Sequence, residues 1–570
     1  MIPAATKLIS IIAFVPPTYQ RPTGSQARKS GECALSRRVQ TCPLDNLTRQ
    51  AAGFAAHQAQ RNPSLQAERR RTAWHESTNK EMSTSHYSRT RRSRQPWLLL
   101  LLAGLFLQTS PAAPPLNVVF ILADDLGASD LACYGADLHE TPRLDQLARQ
   151  GVRFTQAYAM SVCSPTRAAI LTGKHAARLH LTTWRESALA PTRDKPLLAP
   201  AAVGDLPTSE TNLAQILKAA GYLTLHVGKW HLGDAAHSPE ALGFDLNLGG
   251  THWGAPATYF HPFSGASSSA REFRYVPGLG LGKPGEYLTD RLTDEALKLI
   301  DAAGDRPFFL NLWHHSPHTP IEAKRAPAEH FRQKLKPELH HQNADYAAMI
   351  QSLDENVGRV LDHLQQRGLA ERTLVIFASD NGGYTNPWRG NVPTDNWPLR
   401  SGKGALYEGG IRVPLIVRLP GVTLPGATCD RPVTCMDFLP TILELCNQRG
   451  GAKITAPADL DGVSFAALLK QPNARLPREE LFFHYPHYYF NTTPVSAVRS
   501  GDWKLLEYFE DQRVELYNLR DDPGEAQDLA ARNPGQTAKL RARLHAWWKE
   551  ADALLPTKNP DFKPSATAPK

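Results

Sequence analysis

Continuous apolar runs alternate with segments of helical period along most of the chain. Residues 117–123 form an almost wholly apolar run, and the runs at 223–227, 308–313 and 373–379 repeat that pattern. Apolar runs of this length predict strands buried on both faces. From about Asp345 to Gln366, apolar residues recur with helical spacing and predict a long helix. The alternation predicts an α/β fold with a mostly parallel central sheet flanked by helices.

Two shorter helices are predicted from the residues at their ends. Thr141 and Pro142 suit the cap and the first position of a helix, and Gly151 marks its end. Another helix is predicted between Asn212 and Ala220, just before a predicted strand. Both helices fit the alternation expected of an α/β domain.

The pattern changes after about Gln471, where short aromatic and β-branched runs are separated by turn residues. These runs predict an antiparallel sheet followed by a closing helix at 537–554. The predicted strands are 481–483, 495–498, 503–508 and 513–517. We therefore expect an α/β domain at 116–470, a smaller C-terminal antiparallel sheet plus helix at 471–560, and a tail at 561–570.

Two of the predicted strands end in polar pairs. Asp124-Asp125 follows the run at 117–123, and Asp380-Asn381 follows the run at 373–379. Ligands of open α/β sheets bind beyond the carboxyl ends of the strands, so these pairs are expected to converge there. Their oxygens are hard ligands, which suit Ca²⁺ or Mg²⁺ rather than zinc or copper. Either pair alone is equally well explained as a turn or a helix cap.

The basic composition of the chain comes from its N-terminal part. The 570 residues carry a formal charge of +9, but up to Pro115 there are 16 Lys and Arg against 5 Asp and Glu. The remaining 48 basic and 50 acidic residues nearly balance, which argues against a nucleic-acid partner. Residues 1–81 are rich in Arg, Gln, Ser and Ala and are expected to be a disordered extension or a misassigned start.

Residues 82–113 are typical of a secretory signal peptide. Four arginines from Arg89 to Arg94 precede the apolar stretch Trp97–Leu107, and small residues follow up to Ala113. A membrane anchor is the alternative, but the stretch has 11 residues where a spanning helix needs about 20. We therefore expect export to the periplasm or the exterior, without a stable membrane span. An uncleaved or lipid-linked form stays open.

Seven cysteines are too few for a disulfide framework in a chain of this length. Cys429 and Cys435 are candidates for pairing in an oxidising compartment, although spacing alone does not establish the geometry. The pairing of these two and of Cys446 is left open. Cys163 differs from them by its sequence context.

Cys163 lies just before a predicted helix, in the segment Cys163-Ser-Pro165-Thr-Arg167-Ala-Ala-Ile-Leu-Thr-Gly173. Because Pro165 suits the first turn, the unpaired N–H groups and the positive end of the helix are expected to face Cys163. Such a place favours a bound anion. Arg167 adds a permanent charge and several hydrogen-bond donors to the same turn.

This cysteine segment resembles the signature of type I, formylglycine-dependent sulfatases, members of the alkaline-phosphatase-like superfamily. Five further blocks resemble that family in the family's order, over most of the chain between Asn117 and Gly421. They are Asp124-Asp125, Gly228-Lys-Trp-His-Leu-Gly233, Ser316-Pro-His-Thr-Pro320, Asp380-Asn-Gly-Gly383 and Gly402-Lys through Pro414. The resemblance implies an arylsulfatase-like fold and a sulfuric ester hydrolase.

The resemblance also implies how the nucleophile and the cation are provided. Cys163 would be oxidised to formylglycine by a sulfatase-maturing enzyme during export, and a hydroxyl of the hydrated aldehyde would attack a sulfate ester. A covalent sulfo-enzyme intermediate would follow. Asp124, Asp125, Asp380, Asn381 and the modified Cys163 are the implied ligands of a divalent cation, with Ca²⁺ preferred over Mg²⁺.

Five more residues receive roles from the resemblance. Lys229 and Lys403 would hold the sulfate oxygens and neutralise charge in the transition state. Arg167 would hold the hydrated aldehyde and the carboxylates of the metal site in place. His231 would take a proton from the second hydroxyl, and His318 would act at the leaving-group oxygen.

Several neighbouring residues stay less defined. Thr251 and His252 are plausible as one more polar contact to the sulfate, although the local match is loose. His314 and His315 are expected to be structural. The aromatic segment 481–489 either lends residues to the pocket or packs within the C-terminal sheet.

Two other functions are compatible with the same residues. A phosphodiesterase or phosphonate monoester hydrolase of the superfamily could use the same modified cysteine, although no second set of phosphatase metal ligands stands out. A non-catalytic binder of sulfated glycans would not need the nucleophile, the acids and the histidines together. Sulfated carbohydrates and small aryl sulfates are the expected substrates.

Overall fold

A computed structural model of the protein describes residues 114–191, 193–267, 272–450 and 453–563. The predicted extension and signal peptide lie outside these residues. The predicted α/β fold is confirmed, including the separate C-terminal antiparallel sheet. Every helix in the described part of the chain is too short or too polar to cross a membrane.

The strands and helices follow one another in α/β order up to about residue 470. The strands are β1 Asn117–Ala123, β2 Val152–Tyr158, β3 Leu197–Leu198, β4 Leu223–Gly228, β5 Leu246–Leu248, β6 Ser264–Ala266, β7 Phe273–Tyr275, β8 Phe308–Trp313, β9 Thr373–Ser379, β10 Arg412–Arg418, β11 Ala427–Cys429, β12 Val433–Thr434, β13 Glu480–Tyr485, β14 Val495–Ser500, β15 Trp503–Tyr508, β16 Val514–Asn518 and β17 Thr557–Lys558. The α-helices are Pro142–Gln150, Cys163–Thr172, Arg185–Leu189, Leu213–Ala219, Leu288–Ala303, Arg325–Lys334, Ala344–Gln366, Glu408–Ile411, Phe438–Gln448, Ala466–Lys470 and Pro534–Glu550.

The large sheet has the strand order β11-β2-β10-β9-β1-β8-β4-β5, with β12 also paired to β2. All neighbouring pairs are parallel except those of β10, which runs antiparallel to both β2 and β9. Strands β1, β2, β4, β8 and β9 therefore point in one direction, and their carboxyl ends lie at the same edge.

Strand β1 shows why an uninterrupted apolar sequence was needed. Val118, Phe120 and Leu122 pack in the core on one face of the sheet. Val119 and Ile121 pack in a second core on the other face. Because helices cover both faces, alternation of apolar and polar residues is absent.

The C-terminal sheet β13–β16 is antiparallel throughout. One face packs on the α/β domain, where Phe483 contacts Tyr158 with ring centroids 5.7 Å apart. The other face packs against the closing helix through Leu540 and Leu544. The smaller sheet is thereby fixed beside the edge where the polar strand ends lie.

Three details differ from the sequence predictions. The closing helix begins at Pro534, after Asn533, and ends at Glu550 rather than 554. Gly151 ends its helix with extended backbone, and a side chain there would meet the Val417 carbonyl oxygen at 2.2 Å, so close strand packing explains the glycine. All five cysteines in the described part of the chain are free thiols, so the conceivable bond between Cys429 and Cys435 is absent there.

Candidate active site

Polar residues that follow the parallel strands meet at one edge of the large sheet. Asp124 and Asp125 follow β1, Lys229 follows β4, and Asp380 follows β9. His318 lies a short way beyond β8. The convergence predicted for the strand ends is therefore present in the structure.

Two other elements bring residues to the same edge. Lys403 precedes β10, and because β10 is antiparallel its start lies where the other strands end. Cys163 opens the helix Cys163–Thr172, which follows β2, and Arg167 lies one turn further on. Every residue of this helix is buried, so Arg167 is held in place by its surroundings.

The acidic residues form a compact oxygen cluster. The Asn381 amide donates to Asp125 Oδ1 at 2.7 Å, and the Asp125 backbone N–H donates to Asp380 Oδ1 at 3.2 Å. Asp124 Oδ1 and Asn381 Oδ1 are buried without a hydrogen-bond partner. Ligand atoms of Asp124, Asp125, Cys163 and His318 lie within 4.8 Å of one another. Buried oxygens without partners, grouped in this way, fit a hard cation such as Ca²⁺.

Three cationic side chains surround these acids. Arg167 donates two hydrogen bonds to Asp380 Oδ2, at 2.9 and 2.7 Å. Lys229 Nζ lies 2.6 Å from Asp124 Oδ2, and Lys403 Nζ lies 2.7 Å from Asp125 Oδ1. The three carboxylates and three cations balance in formal charge, which allows the group to be buried.

Lys403 also lies next to the candidate nucleophile, with Nζ 3.4 Å from Cys163 Sγ. Burial raises the pKa of the Cys163 thiol to about 12, despite the nearby Lys229 and Lys403. Burial, together with Asp380 and Asp125, likewise raises the pKa of Asp124, and the neighbouring Lys229 ammonium opposes this shift. The unmodified thiol is therefore protonated near neutral pH and is a poor nucleophile.

Two histidines lie in the wall of the same cavity, which has a volume of about 320 Å³. Asp125 and His231 both have left-handed backbone, with φ of 65° and 60°, an unusual state for residues with side chains. His231 has no hydrogen-bond partner at either ring nitrogen, and burial lowers its pKa to about 4. His318 is fixed by a bond from its ring Nδ1 to the Thr319 carbonyl at 2.7 Å, and its Nε2 lies 3.5 Å from Asp125 Oδ2.

Sequence reasoning missed Glu186, which lines the cavity beside His231. Its Oε2 lies 3.6 Å from His231 Nε2, and that oxygen is buried without a hydrogen-bond partner. Gly254 also packs closely on the ring, because an added Cβ would lie 2.4 Å from the His231 Cε1 atom. Neither Glu186 nor Gly254 belongs to a recognisable motif, so no sequence signal could have found them.

The structure shows where the less defined candidates Thr251, His252, His314 and His315 lie. The Thr251 carbonyl accepts a bond from the His231 N–H at 2.9 Å, but neither Thr251 nor His252 lines the cavity. The wall there is formed by the segment 254–257 instead. His314 and His315 are buried, with no partner at either ring nitrogen.

In the aromatic segment 481–489, only Tyr489 reaches the cavity. His484 is bonded to Ser496 and to the Leu554 carbonyl, and His487 is bonded to Thr182. Both interpretations of this segment are thus partly correct.

Comparison with known proteins agrees with this arrangement. A Sulfatase family profile matches residues 116–448, and the profile of the C-terminal part of N-sulphoglucosamine sulphohydrolase matches residues 401–552. A sulfatase of Formosa agariphila is 33% identical over 506 residues, covering 76% of this chain and 88% of its own. Human arylsulfatase A is 33% identical over 494 residues, covering 78% of this chain and 89% of its own.

The fold is similarly shared with a solved structure. The crystal structure of Ps i-CgsB in complex with k-i-k-neocarrahexaose superposes with a TM-score of 0.63 at 28% identity, over 80% of this chain and 96% of that one. Fold and site together define a sulfuric ester hydrolase of the alkaline-phosphatase-like superfamily. The chain belongs to the sulfatase family.

Proposed function

We propose that this protein is an exported sulfatase that hydrolyses sulfate esters of carbohydrates, using formylglycine made from Cys163 as its nucleophile. The observation that carries the proposal is the placement of Cys163 Sγ. It lies 3.4 Å from Lys403 Nζ and within 4.8 Å of ligand atoms of Asp124 and Asp125. A hard oxygen nucleophile at this position would face both the acids and the cations, whereas a thiol matches neither well.

Asp124, Asp125, Asp380 and Asn381 are the residues that would hold a divalent cation, together with the modified residue 163. Ca²⁺ suits a set made only of oxygens and is preferred over Mg²⁺. When bound, the cation supplies positive charge that favours ionisation of the nucleophile and polarises the sulfate. Arg167, bonded twice to Asp380, keeps the carboxylates in place.

The chain's own residues then account for the first half of the reaction. One hydroxyl of the hydrated aldehyde at residue 163, ionised beforehand by loss of its proton to water, attacks the sulfur while Lys229 and Lys403 hold the sulfate oxygens. The bond between sulfur and the ester oxygen breaks, and the alcohol leaves with that oxygen and its electron pair. His318 donates a proton to the departing oxygen. The sulfuryl group is now covalently attached to residue 163.

The second half releases sulfate. His231 takes the proton of the second hydroxyl, whose oxygen forms the carbonyl as the bond between carbon and the sulfate oxygen breaks. The aldehyde is restored, and water hydrates it for the next cycle. Splitting the hydrolysis in this way replaces one difficult step by two easier ones.

A carbohydrate substrate is supported by the similarity to Ps i-CgsB, whose crystal structure contains k-i-k-neocarrahexaose. The aromatic rings of Trp184, Trp388 and Tyr489 in the cavity wall are consistent with sugar binding. Export is proposed from the sequence at residues 82–113, and a sulfatase-maturing enzyme is the required partner.

The test compares hydrolysis of 4-nitrophenyl sulfate with that of the phosphate monoester and diester. The sulfate should be turned over fastest, because the site offers ligands for one cation and a sulfate monoester carries one charge less than a phosphate monoester. Faster turnover of the diester would instead assign a phosphodiesterase or phosphonate monoester hydrolase. Binding of sulfated glycans without any turnover would assign a non-catalytic binder.

A further inference from the structure

A second cavity, of about 690 Å³, adjoins the catalytic cavity. Tyr489 lines both, so its ring is part of the wall between them. The other residues of the second cavity come from the C-terminal sheet, from the loops before β3 and β10, and from Phe562 near the chain end. Nothing in the reaction described above uses this cavity.

The wall between the two cavities is attached to the loop that carries Lys403. The Asn491 side chain donates to the Lys403 carbonyl at 3.2 Å and to Ser401 Oγ at 3.1 Å. Tyr489 packs so closely on Gly404 that an added Cβ would lie 2.1 Å from the Tyr489 Cδ1 atom. A group bound in the second cavity would therefore contact side chains that pack directly on residues 401–404.

The lining combines aromatic surface with polar and charged groups. Phe490 is 79% exposed, so most of its ring is accessible to a ligand. Lys195 is also exposed, and its amine has no ion-pair partner among the described residues. The cavity also contains two arginines, two acids and several hydroxyl and amide groups: Arg400, Arg513, Asp194, Glu510, Asn491, Thr492 and Thr493.

This mixture matches the chemistry of a carbohydrate chain. The C–H faces of sugar rings pack on exposed aromatic rings, their hydroxyls bond to acids and amides, and further sulfate groups bind cations. A small aryl sulfate would fill the catalytic cavity and leave the second one unused. Arg400 and Arg513 already bond within the protein, whereas the exposed Phe490 ring and the Lys195 amine are the groups left for a larger ligand.

We propose that the second cavity binds the sugar residues next to the sulfated one, so that the substrate is a sulfated oligosaccharide or polysaccharide. The proposal rests on the proposed sulfatase function and extends it to the length of the substrate. Phe490 is assigned as the stacking surface and Lys195 as a contact for an additional anionic group.

The test measures how affinity depends on chain length. Di-, tetra- and hexasaccharides prepared from carrageenan, heparin and dextran sulfate are titrated calorimetrically into the full chain carrying Cys163→Ala, which removes turnover. In at least one series the affinity should rise by about tenfold or more from disaccharide to hexasaccharide. In that series, Phe490→Ala should remove most of this gain and Lys195→Gln part of it.

Leu281→Ala is the matched control, because Leu281 is 99% exposed and lines neither cavity. It should keep the full gain with chain length. Affinity that does not rise with length in any series, or a gain that survives Phe490→Ala and Lys195→Gln, would overturn the proposal. Failure of the sulfatase function itself is read separately, as absence of 4-nitrophenyl sulfate hydrolysis by the parent protein.

Discussion

Two buried groups of acids and histidines lie on either side of Tyr346 and differ in how fully they are bonded. The Tyr346 hydroxyl is 2.9 Å from the Asp125 carbonyl oxygen in the active site and 2.8 Å from Asp130 Oδ2 in the second group. That second group comprises Asp130, His139 and His341, which also place possible ligand atoms close together. Proximity of acids and histidines alone therefore does not distinguish the two.

The bonding does distinguish them. Asp130 Oδ2 accepts hydrogen bonds from the Gly127 N–H at 2.6 Å and from Tyr346, and Oδ1 accepts one from Thr394 at 2.6 Å. Both carboxylate oxygens are therefore bonded, although His341 Nε2, 3.3 Å from Oδ1, has no hydrogen-bond partner. We conclude that the Asp130 group is structural.

In the active site, by contrast, the oxygens Asp124 Oδ1 and Asn381 Oδ1 are buried without hydrogen-bond partners. Buried polar atoms without partners cost free energy of folding. Ring nitrogens without partners do not distinguish the groups, because His314, His315 and His341 have them as well. The comparison therefore separates a carboxylate whose oxygens are both bonded from the oxygens of the proposed cation site.

The largest expected effect is on activity, from Asp124→Asn. This change should lower kcat/KM at least about 100-fold, because it removes a charge from the proposed cation site. The melting temperature should change by only a few degrees. The lost pairing with Lys229 is offset because burial and the neighbouring Asp380 and Asp125 already disfavour the Asp124 charge and raise its pKa. Steady-state kinetics and thermal melts of the same preparation check both expectations. Activity within a few fold of the parent would contradict the role of Asp124.

Removing the cation should affect the active site and leave the Asp130 group unchanged, so this test needs no mutation of the parent protein. Treatment with EGTA should abolish hydrolysis and lower the melting temperature, since an ion bound only by the folded state stabilises it. Added Ca²⁺ should restore both in the parent protein. In Asp124→Asn the melting temperature should respond little to either reagent, whereas an equal response would place the ion elsewhere.

For Asp130→Asn we expect a large loss of stability and little loss of activity, the reverse of the result expected for Asp124→Asn. The free energy of unfolding should fall by about 3 kcal/mol, because the His341 cation loses a buried partner. Below the melting temperature of the variant, kcat should stay close to that of the parent. Chemical denaturation and activity measured on the same sample test this. A large loss of activity with unchanged stability would mean that Asp130 belongs to the active site.

The Asp130 group also predicts a pH dependence of stability. Burial disfavours the His341 cation, but Asp130 and Asp137 outweigh burial and raise the pKa of His341 to about 9. This stabilises the fold by up to about 3 kcal/mol below the unfolded pKa of about 6.5, and the contribution is lost as the pH rises through 9. Asp130 and His139, with pKa values lowered to about 2 and about 4, do not titrate in this window.

His341→Gln is the variant that tests this pH dependence. Denaturation from pH 6.5 to 9.5 should show a smaller loss of stability in the variant than in the parent. If the free energy of unfolding fell equally with pH in both proteins, groups other than His341 would cause the loss of stability.

The smallest expected effect concerns Glu186, whose carboxylate lies 3.6 Å from His231. We infer that it is a positioning residue for His231, so Glu186→Gln should lower kcat about tenfold with little change in KM. Because His231 acts in the second half of the reaction, rapid mixing should show a burst of product followed by slow turnover. Glu210 lies outside the cavity, so Glu210→Gln is the control and should show no burst. If Glu186→Gln also showed no burst, Glu186 would not be a positioning residue for His231.

The sequence predicted those parts of the molecule that depend on local pattern. The bounds of three buried strands were predicted correctly: 117–123, 308–313 and 373–379. Turn residues on either side of an apolar run leave little choice for where the strand begins and ends. The predicted site residues converge because parallel strands end at one edge. Lys403 arrives there only because β10 is antiparallel, which its own sequence does not reveal.

The cavity wall outside the recognised sequence blocks could be predicted only in part. Glu186 reaches the cavity from the short helix Arg185–Leu189, outside the recognised blocks, and Tyr489 does so from the loop after β13, within the segment 481–489 whose role the sequence left open. Their positions depend on tertiary packing, such as that of Tyr489 on Gly404. Local pattern carries no information about such contacts.

The most direct test of the proposed mechanism is the chemical state of residue 163. The protein is produced with its natural export and maturation, and the peptide that contains Cys163 is analysed by mass spectrometry and with an aldehyde-reactive hydrazide. The mechanism predicts an aldehyde at this residue in the active protein, and loss of both labelling and turnover in Cys163→Ala. A fully active protein with an intact thiol at residue 163 would contradict it.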